Sequence, residues 1–276
     1  MEDKIAVISD VHGNYDALEA VLKRIDKFEI NKIFCLGDII GYGAQPNRCY
    51  QKLKERDCII IKGNHEDILL EKIGDQGCSK IGKQSNRWTK DNIDINIKGE
   101  LQYLPFSAQY KGISMYHSSM IDDGKYPYLN DANSIIDAFS SKKGIVFYGH
   151  THRPRVTFKV DNTIYDEYIL ETKEFFIKPG YSCYVNVGSV GQQRDNRTDA
   201  SFAICMIGRN GITIKLFRIA YKSFSAYRKV VRYGSGIEVA SYFIRENWRR
   251  RAYELLNNRC IRVRGRISKK TNGSTR

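Results

Sequence analysis

Apolar positions in the first third of the chain alternate between two periods. Ile5-Ala6-Val7-Ile8 is a short apolar run that predicts a strand ending at Ser9-Asp10. Leu18, Val21, Leu22, Ile25 and Phe28 then recur at threes and fours, which predicts an amphipathic helix. Lys32 to Leu36 reads as a second strand ending at Gly37-Asp38, and Pro46 suits the first turn of a second helix reaching about Arg56. Cys58 to Ile61 predicts a third strand closing on Gly63-Asn64-His65. A β-α-β-α-β order of this kind predicts parallel strands joined by right-handed crossovers.

Residues 67–105 are more polar and read as mostly helical, a cap-like segment. Strand patterns then dominate, at Ile113 to Tyr116, Ile145 to Tyr148, Arg155 to Val160, Tyr184 to Val187, Phe202 to Ile207 and Ile212 to Ile219. A last helix is predicted from about Gly236 to Asn257, its apolar face built from Val239, Ala240, Phe243, Ala252, Leu255 and Leu256. The stretch Arg259 to Arg276 is basic and poor in large apolar residues, so disorder is expected there. These patterns divide the chain into a body, 1–221, and a basic helical extension, 222–276. No internal repeat is visible.

With 42% hydrophobic and 12% aromatic residues, the 276-residue chain can bury a sizeable core. It contains no apolar run long enough to span a membrane and no signal-peptide pattern. Its seven cysteines are odd in number and lack paired short spacing, which argues against a disulfide framework or a cysteine-based zinc site. A cytoplasmic protein with reduced cysteines is expected. The formal net charge of +14 is concentrated at one end: from Lys222 onward 15 Lys/Arg face three acids. Electrostatic attraction of a partner is therefore a question about the extension.

Five short motifs follow five predicted strands: Asp10-Val11-His12-Gly13-Asn14, Gly37-Asp38, Gly63-Asn64-His65-Glu66, His117, and Gly149-His150-Thr151-His152. Ligands of open α/β sheets gather beyond the carboxyl ends of strands, so these loops are expected to converge. Carboxylate oxygen, imidazole nitrogen and amide oxygen suit divalent Mn, Fe, Co, Ni or Zn. A carboxylate shared by two such cations gives a site able to clamp the attacking and leaving oxygens of a phosphoryl displacement. A lone histidine is ordinarily a core or surface residue. Here all five histidines of the chain lie in these motifs, beside Asp10, Asp38 and Asn64.

This ordered set resembles the calcineurin-like metallophosphoesterase superfamily, and within it a branch of small bacterial and archaeal phosphodiesterases. Further matches are Gly41-Tyr42-Gly43 with Pro46-Asn47, Trp88-Thr89, Leu104-Pro105, and Asn186-Val187-Gly188-Ser189-Val190-Gly191-Gln192 followed by Arg194-Asp195. The resemblance covers roughly residues 4–220. It implies an α/β fold, a two-sheet β-sandwich flanked by helices, carrying two divalent metal ions, manganese first, with Fe, Ni, Co or Zn as substitutes. It further implies that Asp10, His12 and His152 hold one metal, that Asn64, His117 and His150 hold the other, and that Asp38 bridges them. A hydroxide between the metals would attack phosphorus, and His65 would be the catalytic acid. The implied activity is hydrolysis of phosphate esters, phosphodiesters foremost, with nucleotides or nucleic acid as possible substrates.

Other positions have two readings. Asn14 either donates to a phosphate oxygen or caps the following helix. Arg194 either pairs with phosphate or is a surface arginine that Asp195 holds. Glu66 either orients a histidine or is a solvated acid at a helix start. The family has glycine after the metal-binding histidine where this chain has Ser118 after His117, which bears on substrate placement. Arg249, Arg250, Arg251, Arg262, Arg264 and Arg266 contact nucleic acid, meet an acidic protein or membrane surface, or form a solvated face. The competing activities are a phosphomonoesterase or protein phosphatase, and a non-catalytic nucleic-acid-binding module. The motifs leave the oligomeric state open.

Overall fold

A computed structural model describes residues 3–160 and 163–244. The first third holds β1 (Asp3–Ile8), α1 (Tyr15–Asp26), β2 (Ile33–Cys35), α2 (Pro46–Glu55) and β3 (Ile59–Ile60). Three helices follow, α3 (Asn64–Leu69), α4 (Lys80–Asn92) and α5 (Ile95–Leu101), then β4 (Ser107–Tyr110), β5 (Ile113–Tyr116), α6 (Ala132–Ala138) and β6 (Ile145–Tyr148). The chain continues with β7 (Arg155–Val160), β8 (Thr163–Tyr168), β9 (Lys173–Ile177), β10 (Cys183–Asn186), β11 (Ala200–Gly208) and β12 (Gly211–Ile219). It closes on α7 (Ser223–Tyr233), α8 (Ile237–Ala240) and a 3-10 turn at Ser241–Phe243.

The strands form two six-stranded mixed sheets, ordered β3-β2-β1-β11-β12-β9 and β4-β5-β6-β10-β7-β8. The predicted parallel pairing is present: β1 lies parallel to β2, and β2 to β3. In the second sheet β6 is parallel to both β5 and β10.

Alternation along β1 shows how the layers stack. Ala6 and Ile8 face Leu18, Val21, Leu22 and Ile25 of α1, while Ile5 and Val7 face Met115, Phe147 and Val185 of the second sheet. The other face of that sheet, with Tyr116, Val146 and Tyr148, packs on Ile135 and Phe139 at α6. Each central strand is thus covered on both sides, which is why it reads as a continuous apolar run rather than an alternating one. The result is a sandwich of two sheets with helices outside. Six described cysteines are free. No helix among the described residues is long and apolar enough to cross a membrane.

The helix expected over Gly236 to Asn257 is not continuous. Gly236 takes φ +104°, α8 lasts one turn, and Ile244 is extended. Packing overrides the helical pattern: Val239, Ala240, Phe243 and Ile244 join Ala226, Tyr227 and Val230 of α7 and Tyr42 in one apolar cluster. The preceding α7, within the expected helical extension but before the helix predicted from Gly236, is tied to α1 by a Lys229–Asp16 ion pair at 2.7 Å. Residues 245–276, with the basic positions Arg249, Arg250, Arg251, Arg262, Arg264 and Arg266, lie outside the described residues.

Candidate functional site

The loops leaving β1, β2, β3, β5 and β6 meet at one end of the sandwich. Asp10, His12, Asp38 and His152 form one buried group whose ligating atoms all lie within 4.8 Å of one another. Asp38, His117 and His150 form a second, so Asp38 belongs to both. Asn64 Oδ1 lies 3.2 Å from His117 Nε2.

The local backbone is bent to achieve this. Asp10, His12, Asp38, His150 and His152 all have positive φ, between 47° and 65°. Each such residue costs on the order of 1 kcal/mol or more, and strain of this kind gathers at functional sites. Two glycines make room. A Cβ at Gly63 would collide with Asp38 Oδ1, and one at Gly149 would lie 2.6 Å from Asp10 Oδ2.

Three of the imidazoles are aimed by their other ring nitrogen. His12 Nδ1 donates to Ile40 O at 2.9 Å, His117 Nδ1 to Leu36 O at 2.7 Å, and His152 Nδ1 to Gln192 O. Burial holds His12 and His152 well below the usual imidazole range, so both rings are neutral and their Nε2 atoms carry lone pairs. Those two nitrogens nevertheless stand 3.1 Å apart. Asp10 Oδ1 is 3.2 Å from His152 Nε2, and it is buried with no hydrogen-bond partner. Three lone-pair donors facing one another without a proton repel unless a cation sits among them. Donors about 2.1 Å from a shared cation lie roughly 3–3.5 Å apart, so the residues present fit a divalent metal.

The second group has its proton in place. Although burial opposes it, Asp38 at 3.3 Å pushes His117 up to about 9. Asp38 in turn is held well below the usual carboxylate range by His117, against the pull of burial. His150 is lowered to about 3, by burial first and by His117 next. Ligation needs the neutral imidazole. Metal uptake near pH 7–8 is therefore expected to release about one proton per protein, from His117, and affinity should rise with pH until about 9. Titration of metal into weakly buffered protein with a pH indicator reads this directly; no proton release would contradict it.

Glu66 does neither of the two things its position suggested. It is fully buried and accepts from four backbone N–H groups, those of Asp38, Ile39, Ile40 and Gly63, at 2.8–3.3 Å. Burial and the neighbouring Asp38 raise it to about 7. It pins the loop that carries Asp38. Glu66→Ala strands these donors and is expected to lower unfolding free energy by about 2–4 kcal/mol, read as a lower urea midpoint.

Asn14 is a helix cap: its Oδ1 accepts from Ala17 N at 3.1 Å, and its Nδ2 donates to Gly191 O and Tyr221 Oη. That leaves its amide committed to protein partners. Arg194 does reach the site, where it lines the cavity with neutral partners, Gln192 Oε1, Tyr128 Oη and Tyr42 Oη. Asp195 does not hold it; Asp195 pairs with Arg218 instead. Ser118, after His117, has no positive φ, and its Oγ donates to Pro127 O at 2.7 Å. It anchors the loop bearing Tyr126 and Tyr128, two cavity residues that no motif had marked. His65 is buried at the cavity wall, its backbone N–H donating to Asp38 Oδ1 at 2.9 Å. Burial lowers its pKa, against Asp38, so the ring is neutral near pH 7.

Comparison with known proteins places this geometry. The chain is 34% identical over 239 residues to an uncharacterized protein of Methanocaldococcus jannaschii, covering 84% of this chain and 93% of the relative. The crystal structure of a metallophosphoesterase from Sphaerobacter thermophilus superposes with a TM-score of 0.75 at 24% identity, covering 88% of this chain and 98% of that one. Residues 4–210 match the calcineurin-like phosphoesterase superfamily domain. The chain belongs to the calcineurin-like phosphoesterase superfamily.

Proposed function

We propose that this protein hydrolyses phosphate esters, phosphodiesters first among them, with two divalent cations. Asp10, His12 and His152 would hold one, Asn64, His117 and His150 the other, and Asp38 both. Bound there, the cations, manganese first and Fe, Ni, Co or Zn as substitutes, would supply Lewis acidity and an acidified water as nucleophile. The observation that carries this reading is the membership of Asp38 in both ligand groups.

The chain's own residues supply the rest. Arg194 presents a guanidinium to the cavity and takes one ester oxygen. It is the one cationic side chain among the described residues lining that cavity. His65, neutral in its burial, donates N–H to the leaving oxygen as charge develops there.

The test is release of nitrophenolate from bis-p-nitrophenyl phosphate and from p-nitrophenyl phosphate, after chelation and after adding back Mn. Metal-restored turnover with the larger kcat/KM on the diester is expected. Turnover of the monoester alone would move the reading to a phosphatase. Silence with Mn, Fe, Ni, Co and Zn in turn, at full metal occupancy, would sink it.

A further inference from the structure

The cavity is larger than a phosphate group requires. It encloses about 460 Å³, within the range of pockets that take whole small molecules. Beyond the ligands, its lining includes four tyrosines and three apolar side chains beside Ser79, Arg194 and glycines. Tyr126 and Tyr128 stand beside His150, with ring centroids 6.2 and 4.3 Å away, and Tyr42 and Tyr242 pair at 5.8 Å. Ile68, Ile73 and Cys78 add small apolar surface.

The tyrosine loop is fixed in place before any ligand arrives. Tyr126 Oη donates to the buried Asp67 at 2.6 Å. Ser118 holds Pro127 O, and Arg194 Nη1 donates to Tyr128 Oη at 3.1 Å. Yet Tyr128 is 52% exposed. A tethered ring at the mouth of the site, packed against His150 yet about half exposed as a residue, offers a stacking platform whose ordering cost is partly met in advance. Arg194 links this ring to the phosphate end of the cavity, so an anion on the guanidinium lies one residue from the platform.

We infer that one ester substituent of the substrate is a nucleoside, its base stacked on Tyr128 and its phosphate on Arg194 and the ligand cluster. This inference rests on the phosphodiesterase reading above. Bases suit the site because each has a planar π-face, and stacking of this kind tolerates any base sequence.

Two diesters that release the same leaving group test it: thymidine 5′-(4-nitrophenyl phosphate) and methyl 4-nitrophenyl phosphate. In both, water adds at phosphorus and the P–O bond to the nitrophenyl group breaks. The bonding pair leaves with nitrophenolate, and the water's protons pass to the buffer. The Mn-loaded protein is expected to prefer the thymidine ester by about tenfold or more in kcat/KM. Tyr128→Ala should bring the ratio of the two esters close to one, while Tyr128→Phe, which keeps the ring and its packing on His150 but not the Arg194 hydrogen bond, should keep most of it. The ratio cancels any damage common to both substrates. Equal rates in the unaltered protein, or a ratio that Tyr128→Ala leaves standing, would overturn the nucleoside assignment and leave diester hydrolysis intact. Failure to cleave either ester would remove the hydrolase reading itself, and this assignment with it.

Discussion

Asp38→Asn is expected to abolish metal-dependent turnover, by 10³-fold or more, a fall of the size that follows removal of groups acting on charge in the transition state. The substitution is nearly isosteric, so the loop pinned by Glu66 keeps its shape and His65 N–H keeps an acceptor at the Oδ1 position. It removes the one charge shared by both ligand groups. His117 also loses the carboxylate that supports its proton, and its pKa should fall from about 9 toward the usual imidazole range. Two readouts are therefore linked: metal content by elemental analysis drops, and the proton released on metal uptake disappears. A variant that keeps both its metal and its rate would mean that Asp38 is a loop residue and that the two groups are not one site.

His65→Ala should separate chemistry from metal binding. The ring sits edge-on to His12, with centroids 4.9 Å apart, and packs at 5.3 Å against Tyr42, but belongs to neither ligand group. Metal content is expected to stay near that of the unaltered protein, while kcat falls about 10²- to 10³-fold, the usual effect of removing one hydrogen-bond donor to a developing oxyanion. The loss should be largest for esters with poor leaving groups and small for nitrophenyl esters, because a weakly basic leaving oxygen needs little help. A uniform loss across leaving groups, together with lost metal, would show that the ring supports the site only as packing beside His12.

Which parts were legible in the sequence follows from what each residue needs. The histidines stood out because all five of the chain's histidines fell at strand ends, and the structure brings all five to one end of the sandwich. The β1, β2 and β3 order was readable because each parallel strand is short, apolar and followed by a helix. Glu66 was not readable. A helix-start acid looks solvated until the Asp38 loop folds back over it from an adjacent strand. Asp195 was matched with its neighbour Arg194 because sequence proximity favoured it, whereas strand pairing carries Arg218 on β12 to it. Tyr126 and Tyr128 gave only a weak hint, two tyrosines flanking Pro127 after a glycine-containing polar stretch. Their importance depends on tethers to Asp67 and Arg194, far away along the chain. The break at Gly236 was hidden for a related reason: an apolar cluster shared with Tyr42 outweighs local helical periodicity.

Both ligand groups draw on both sheets. In one, Asp10, His12 and Asp38 leave the first sheet and His152 the second; in the other, Asp38 leaves the first, and His117 and His150 the second. Each bound cation would therefore act as a rivet through the sandwich at its open end, where strained loops and like-charged lone pairs otherwise push apart. Resistance to heat should climb with the logarithm of free metal concentration above its dissociation constant. Metal starvation would then also unfasten the protein, exposing the edges of its two halves to proteases first at the end that carries the ligand groups.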